Sequence, residues 1–108
     1  MPRVWRQGDV LIIATDETVP AEATLVPRDD GRVVLAYGEV TGHAHALLDR
    51  RVELFALSDA EFEDRFLVIA AEAALVHEEH DTITLPPGTY RVRRQREYAP
   101  EAPVQVAD

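Results

Sequence analysis

Turn-forming residues interrupt this chain so often that long helices have little room. Gln7-Gly8-Asp9, Asp29-Asp30-Gly31, Tyr37-Gly38, Asp49-Arg50-Arg51, Ser58-Asp59 and Pro86-Pro87-Gly88 each read as a turn signal. Between them lie short apolar runs rich in β-branched residues, at 10–14, 24–26, 32–36, 40–48, 52–57, 66–70, 82–85 and 89–97. Runs of that length and spacing predict an all-β fold, either a small β-barrel or a sandwich. The 108 residues suit one domain, expected over 1–98, with an extended tail at 99–108 where Pro100 and Pro103 disfavour regular pairing. No internal repeat or low-complexity segment is visible.

One stretch competes with the β reading. Ser58 and Glu61 have capping-box spacing, and Phe62, Phe66, Ile69 and Ala73 follow at near-helical intervals, which would make a helix from Asp59 to about Leu75. The segment 66–70, however, is apolar all round, like a buried strand. The expectation is therefore a short helical turn over 59–63 followed by a strand.

Composition removes several function classes. Hydrophobic residues make up 46% and charged residues 29%, enough apolar material for a core. Cysteine is absent, which excludes disulfides, thiol nucleophiles, Cys-ligated zinc and iron–sulfur clusters, so any metal must be held by histidine and carboxylate. The 20 acidic residues outnumber 11 basic ones for a net charge of −9, a field that repels nucleic acid and anionic membranes; neither is expected as a partner. Every basic residue is arginine, so Schiff-base and P-loop lysines are excluded. No apolar leader and no stretch of membrane-spanning length appears, and the expected location is the cytoplasm.

The four histidines fall in two tight groups, His43 with His45 and His77 with His80. On a strand, His43 and His45 share a face with Glu39, Thr41 and Leu47, while Val40, Gly42, Ala44, Ala46 and Leu48 form a small apolar face expected to pack. Imidazoles at i and i+2 stand about 6.5–7 Å apart at the backbone, close enough to converge on one ion. If 76–80 is a bend between strands, one histidine of the second pair reaches the same place and the other pairs with Glu78 or Glu79. His77, which follows the apolar Leu75 and Val76, is the preferred third ligand. The plainer account is a chance cluster, or a pair of rings satisfied within the core.

The run after Gly88 alternates Tyr90, Val92, Arg94, Arg96 and Tyr98 on one face with Arg91, Arg93, Gln95 and Glu97 on the other. It reads first as an edge or rim strand whose arginines pair with surplus carboxylates. A sharper reading points Arg94 or Arg96 into the histidine cavity to hold a carboxylate or phosphate.

Two resemblances add to this. Gly38, four residues, His43-x-His45, three residues and Asp49 resemble the first metal motif of the cupin barrels, with one residue fewer after the glycine. Pro86-Pro87-Gly88-Thr89-Tyr90-Arg91 resembles the second, Pro-x-Gly-x-x-His, up to its last position, where Arg91 replaces histidine. The resemblance implies a small β-barrel with His43 and His45 as ligands and Asp49 for the usual glutamate; His77 or His80 would supply the missing ligand. The chain is also similar to small uncharacterised bacterial and phage proteins sharing the segments Gly38–His45, His77–His80 and Gln95–Tyr98, a group with no established activity.

The expected function is a mononuclear site for a divalent transition metal (zinc, iron or nickel) built from His43, His45 and His77. Glu39 and Asp49 are further ligand candidates, and His80, Arg94 and Arg96 are the expected groups acting on a small anionic ligand. A competing reading is metal-free acid/base chemistry such as phosphodiester cleavage; His80-Asp81-Thr82 resembles the His-x-Thr element of two-histidine phosphoesterases, although the second copy is absent. A third is an oligomerising module with histidines at its interface. A homo-oligomer is expected under each.

Overall fold

The computed structural model describes residues 3–38, 43–57 and 65–94. Ten strands form among them: β1 (Val4–Gln7), β2 (Val10–Thr15), β3 (Thr24–Leu25), β4 (Val33–Tyr37), β5 (Ala44–Leu47), β6 (Val52–Ala56), β7 (Arg65–Ile69), β8 (Ala73–Val76), β9 (Ile83–Leu85) and β10 (Gly88–Arg94). They make two antiparallel sheets, one ordered β1-β2-β10-β7-β6-β3 and the other β4-β5-β8-β9. The result is a sandwich and not a closed barrel, since each sheet keeps two edges among the described residues.

Alternation explains the core. Trp5, Ile12, Leu54, Leu67 and Val92 of the larger sheet meet Val33, Leu35, Leu47, Leu75 and Leu85 of the smaller one in one buried cluster. Tyr90 adds its ring edge-on to Trp5, with centroids 5.6 Å apart, and donates its hydroxyl proton to the Pro86 carbonyl, so the polar tip is satisfied.

The strand expected over 66–70 forms as β7, and two other sequence expectations change. Residues 65–76 form two strands separated by a tight turn, so no helix runs on to Leu75; the expected turn over 59–63 and the tail 99–108 lie outside the described residues. β10 is not an edge strand. It pairs with β2 on one side and β7 on the other, because Tyr90 and Val92 carry the face the core needs while Arg91 and Arg93 sit on the opposite one. Finally, Ala44 and Ala46 do not supply the main core: they form a small separate cluster with Val34, and Leu47, on the face of His45, enters the core instead.

A bulge in β4 helps to make this possible. The β4–β5 register slips between Val34 and Ala36, leaving Leu35 without a residue directly opposite, and Leu35 and Ala36 both turn inward. Ala36 then pairs with His45, and its small side chain leaves room for an imidazole on the inner face. Leu47→Ala should cost about 2–5 kcal/mol of stability in a denaturant titration, because the residue is fully buried between both sheets. A loss below about 1 kcal/mol would contradict that placement.

Candidate functional site

At one end of the sandwich an open cleft of about 600 Å³ is lined by all four histidines. Asp9, Tyr37, Gly38, Glu79 and Arg94 complete its walls. The first wall is the β1–β2 hairpin. Its connection is Gly8-Asp9, with a positive φ at Gly8 alone among the two, the pattern of a type II′ turn. Glycine is required here twice over: φ is 60°, and a Cβ would lie 2.8 Å from His80 Nε2 and 3.2 Å from His45 Cε1. The turn therefore lies flush against two of the rings.

Gln7, the last residue of β1, is fully buried. Its Nε2 donates to the carbonyls of Leu75 at 3.0 Å and Asp81 at 2.9 Å, which commits both amide protons to the smaller sheet and to the loop after it. The amide oxygen must then face His45, whose Nδ1 is 2.8 Å away. An amide oxygen only accepts, so neutral His45 carries its proton on Nδ1 and presents the Nε2 lone pair to the cleft. Burial pushes this imidazole down to about 4, helped by the His77 and His80 rings and by Arg94 against the opposing pull of Asp9. At neutral pH the ring is uncharged.

Residues 77–82 join β8 to β9, and hydrogen bonds fasten this loop to β5 and to itself. Glu78 Oε1 accepts from the Ala44 N–H at 2.9 Å, a contact that holds its carboxyl below the usual range. Glu79 donates its backbone N–H to His77 Nδ1 at 3.0 Å, so neutral His77 carries its proton on Nε2, opposite to His45. Glu79 Oε2 also stands 3.2 Å from the buried Nδ1 of His43, close enough for an ion pair although off the line of a hydrogen bond. The rings gather tightly: His45 and His77 have centroids 4.3 Å apart, His77 and His80 4.7 Å, His45 and His80 5.8 Å, and His43 and His77 5.9 Å. As they stand, no three His, Asp or Glu side chains among the described residues direct donor atoms at a common ion-sized point.

Arg94, at the end of β10, lies at the mouth. Its Nη2 donates to the Tyr37 carbonyl at 2.9 Å and its Nε sits 3.0 Å from Asp9 Oδ2. The other Asp9 oxygen is 3.9 Å from His45 Nε2.

Of the residues singled out from sequence, the structure brings together His43, His45, His77, His80 and Arg94. Both histidines of the second pair reach the cleft. Asp49 does not: its carboxylate takes the Arg51 N–H and guanidinium at 2.8–3.0 Å, which holds it down at about 2, away from the rings. Local pairing two residues along wins because it needs no chain closure. Arg91 also points elsewhere, bound to Glu17 at 3.1 Å and lying over the Phe66 ring. Glu39 and Arg96 lie outside the described residues. Gln7, Gly8 and Asp9 were not anticipated as site residues, and Glu79, expected beside a histidine of the second pair, sets its carboxylate beside His43 instead. For the first three the available signal was the Gln-Gly-Asp turn itself, whose glycine lets the backbone come close to its neighbours.

A family model matches residues 6–95, a stretch that contains every residue of the cleft. The chain belongs to the DUF8820 family, a domain of unknown function. Comparison with curated proteins and with solved structures finds no match. The DUF8820 stretch closes where β10 does, just beyond Arg94.

Two outcomes follow for this DUF8820 domain. Gln7→Met keeps the bulk and removes the amide, so Leu75 and Asp81 lose a donor; a loss of about 1–3 kcal/mol per group left unpaired is expected, together with loss of the fixed His45 tautomer in nitrogen-correlated NMR spectra. The pH dependence has a definite sign. An unfolded histidine takes up its proton near pH 6.5 and the folded His45 only near 4, so its contribution is complete above pH 6.5 and is lost as the pH falls toward 4. Stability plotted against pH should be flatter in His45→Gln by up to one proton over that window; equal slopes would contradict the shift.

Proposed function

We propose that the cleft binds a divalent transition metal ion through His43 and His45, with His77 and His80 from the β8–β9 loop completing the imidazole set. The observation that carries this reading is the Gln7 contact, which fixes His45 with its Nε2 lone pair presented to the cleft that the other three histidines also line. A ligating histidine almost always has its second nitrogen held by an outer partner in this way. The carboxylate of Glu79 next to His43 Nδ1 supports the same role for that ring. His77 must give up the Glu79 N–H and move its proton to Nδ1 before its Nε2 can ligate, so binding reorganises this loop residue. Imidazoles and carboxylates suit zinc, nickel or iron, and water or a small anion would complete the shell from the open side, where the ion can act as a Lewis acid.

One observation favours a metal-free alternative. His45 presents a lone pair and His77 an N–H, a base beside an acid. Magnitude decides against it: a base held at about 4 has little drive to take a proton at pH 7, whereas the same low proton affinity keeps the lone pair available to a metal. Untagged protein should bind zinc, nickel or iron(II) and melt at higher temperature with the metal, by about 2.7 kcal/mol of stabilisation at a hundredfold excess over Kd. His43→Ala and His45→Ala should abolish both effects. No bound metal and an unmoved melting temperature would overturn the reading, and an activity that survives chelation but not His45→Ala would favour the alternative.

A further inference from the structure

A carboxylate that the histidine pattern does not announce stands opposite His45. Asp9 is the second residue of the β1–β2 turn, and its Oδ1 lies 3.9 Å from His45 Nε2. Because neutral His45 donates its one ring proton to Gln7, Nε2 offers a lone pair; a carboxylate oxygen likewise only accepts. Two lone-pair donors thus face each other across 3.9 Å with no proton between them. The gap exceeds the hydrogen-bond limit of about 3.2 Å. It falls within the span of two donors that share an ion: with bonds of about 2.0–2.2 Å, donors stand about 3.4 Å apart at a tetrahedral angle and about 4.1 Å apart when opposite.

The second Asp9 oxygen is also placed. Oδ2 sits 3.0 Å from Arg94 Nε, and Arg94 is itself held to the end of β4 by its 2.9 Å bond to the Tyr37 carbonyl. The guanidinium therefore keeps Oδ2 turned away and Oδ1 turned toward His45. A ligating carboxylate commonly has its second oxygen held by an outer partner, a place that the 3.0 Å ion pair with Arg94 Nε fills here without the alignment of a hydrogen bond. Gly8 contributes by letting the turn approach the rings closely: an added Cβ would lie 2.8 Å from His80 Nε2, and that ring would have to shift.

We propose that Asp9 is a carboxylate ligand of the divalent metal and that Arg94 is its positioning residue. The inference rests on the metal reading above, since Asp9 has nothing to ligate without it. A single anionic ligand among imidazoles leaves the bound ion with a net charge of about +1, and the mixed nitrogen and oxygen set favours zinc, iron(II), cobalt(II) or nickel over copper(I), which prefers sulfur.

Cobalt(II) is the probe, because its visible spectrum reports the ligand set as well as occupancy. Titrated against a chromophoric chelator, Asp9→Asn should lose roughly 10–100-fold in affinity relative to the unsubstituted protein and shift the cobalt bands. Asparagine suits the turn, and Asp9→Ser serves as a second substitution with the same expected result; circular dichroism of the metal-free proteins checks that both fold. Arg94→Met should lose a smaller factor and alter the spectrum, with Arg94→Lys restoring part of both, which a role in packing alone would not produce. If the unsubstituted protein binds cobalt, His45→Ala abolishes binding, and Asp9→Asn binds with unchanged affinity and spectrum, Asp9 is not a ligand and only this inference falls. If the unsubstituted protein binds no metal, the metal reading falls with it.

Discussion

Gln7 reaches from an edge strand of the larger sheet into the interior and satisfies three groups with one amide: two carbonyls of the opposite side of the sandwich and one imidazole. Each polar atom of its side chain is used, which is the condition under which a buried polar group helps rather than harms. The leucine, isoleucine and valine cluster would bring the two sheets together without it, because apolar burial is non-directional. What the amide adds is direction. It sets the path of the loop after β8, sets the orientation of the His45 ring, and through that ring decides which nitrogen faces the cleft.

The electrostatics of the cleft follow from that placement. The chain as a whole carries −9, yet within the cleft an arginine, two carboxylates and four imidazoles stand together, and burial keeps the central ring uncharged. Strand alternation separates this chemistry from ordinary surface pairing. Arg94 joins the cleft, while Arg91, three residues earlier on the opposite face of β10, forms a partly exposed pair with Glu17 of the kind worth about 0–1 kcal/mol. One strand thus serves the core with Tyr90 and Val92, the surface with Arg91, and the site with Arg94.

The all-β architecture was legible because turn residues and β-branched runs act locally, and so was the sharing of a face by His43 and His45, which needs only a period of two. β1 and β8 were not legible as strands. Val4–Gln7 carries polar residues that only its neighbours justify, and the turn at 70–72 has neither glycine nor proline to mark it. Asp49 matched a motif spacing yet belongs to its own turn, where Arg51 captures it. Asp9 shows the reverse: it carries no motif and looks like plain turn chemistry, but the hairpin that it terminates ends on the histidine rings.

From sequence alone came the fold class, the absence of thiol and lysine chemistry, and the identity of the histidines as the residues with most to offer. All three rest on composition or on patterns that repeat within a few residues. The tertiary structure decided that both histidine pairs meet, that Gln7 and Asp9 join them, and that β10 lies in the middle of its sheet. Those contacts link positions 38 and 74 residues apart along the chain, from Gln7 to His45 and to Asp81. No local propensity encodes such separations; they exist only after the two sheets have closed over a common core and brought one hairpin tip against one loop.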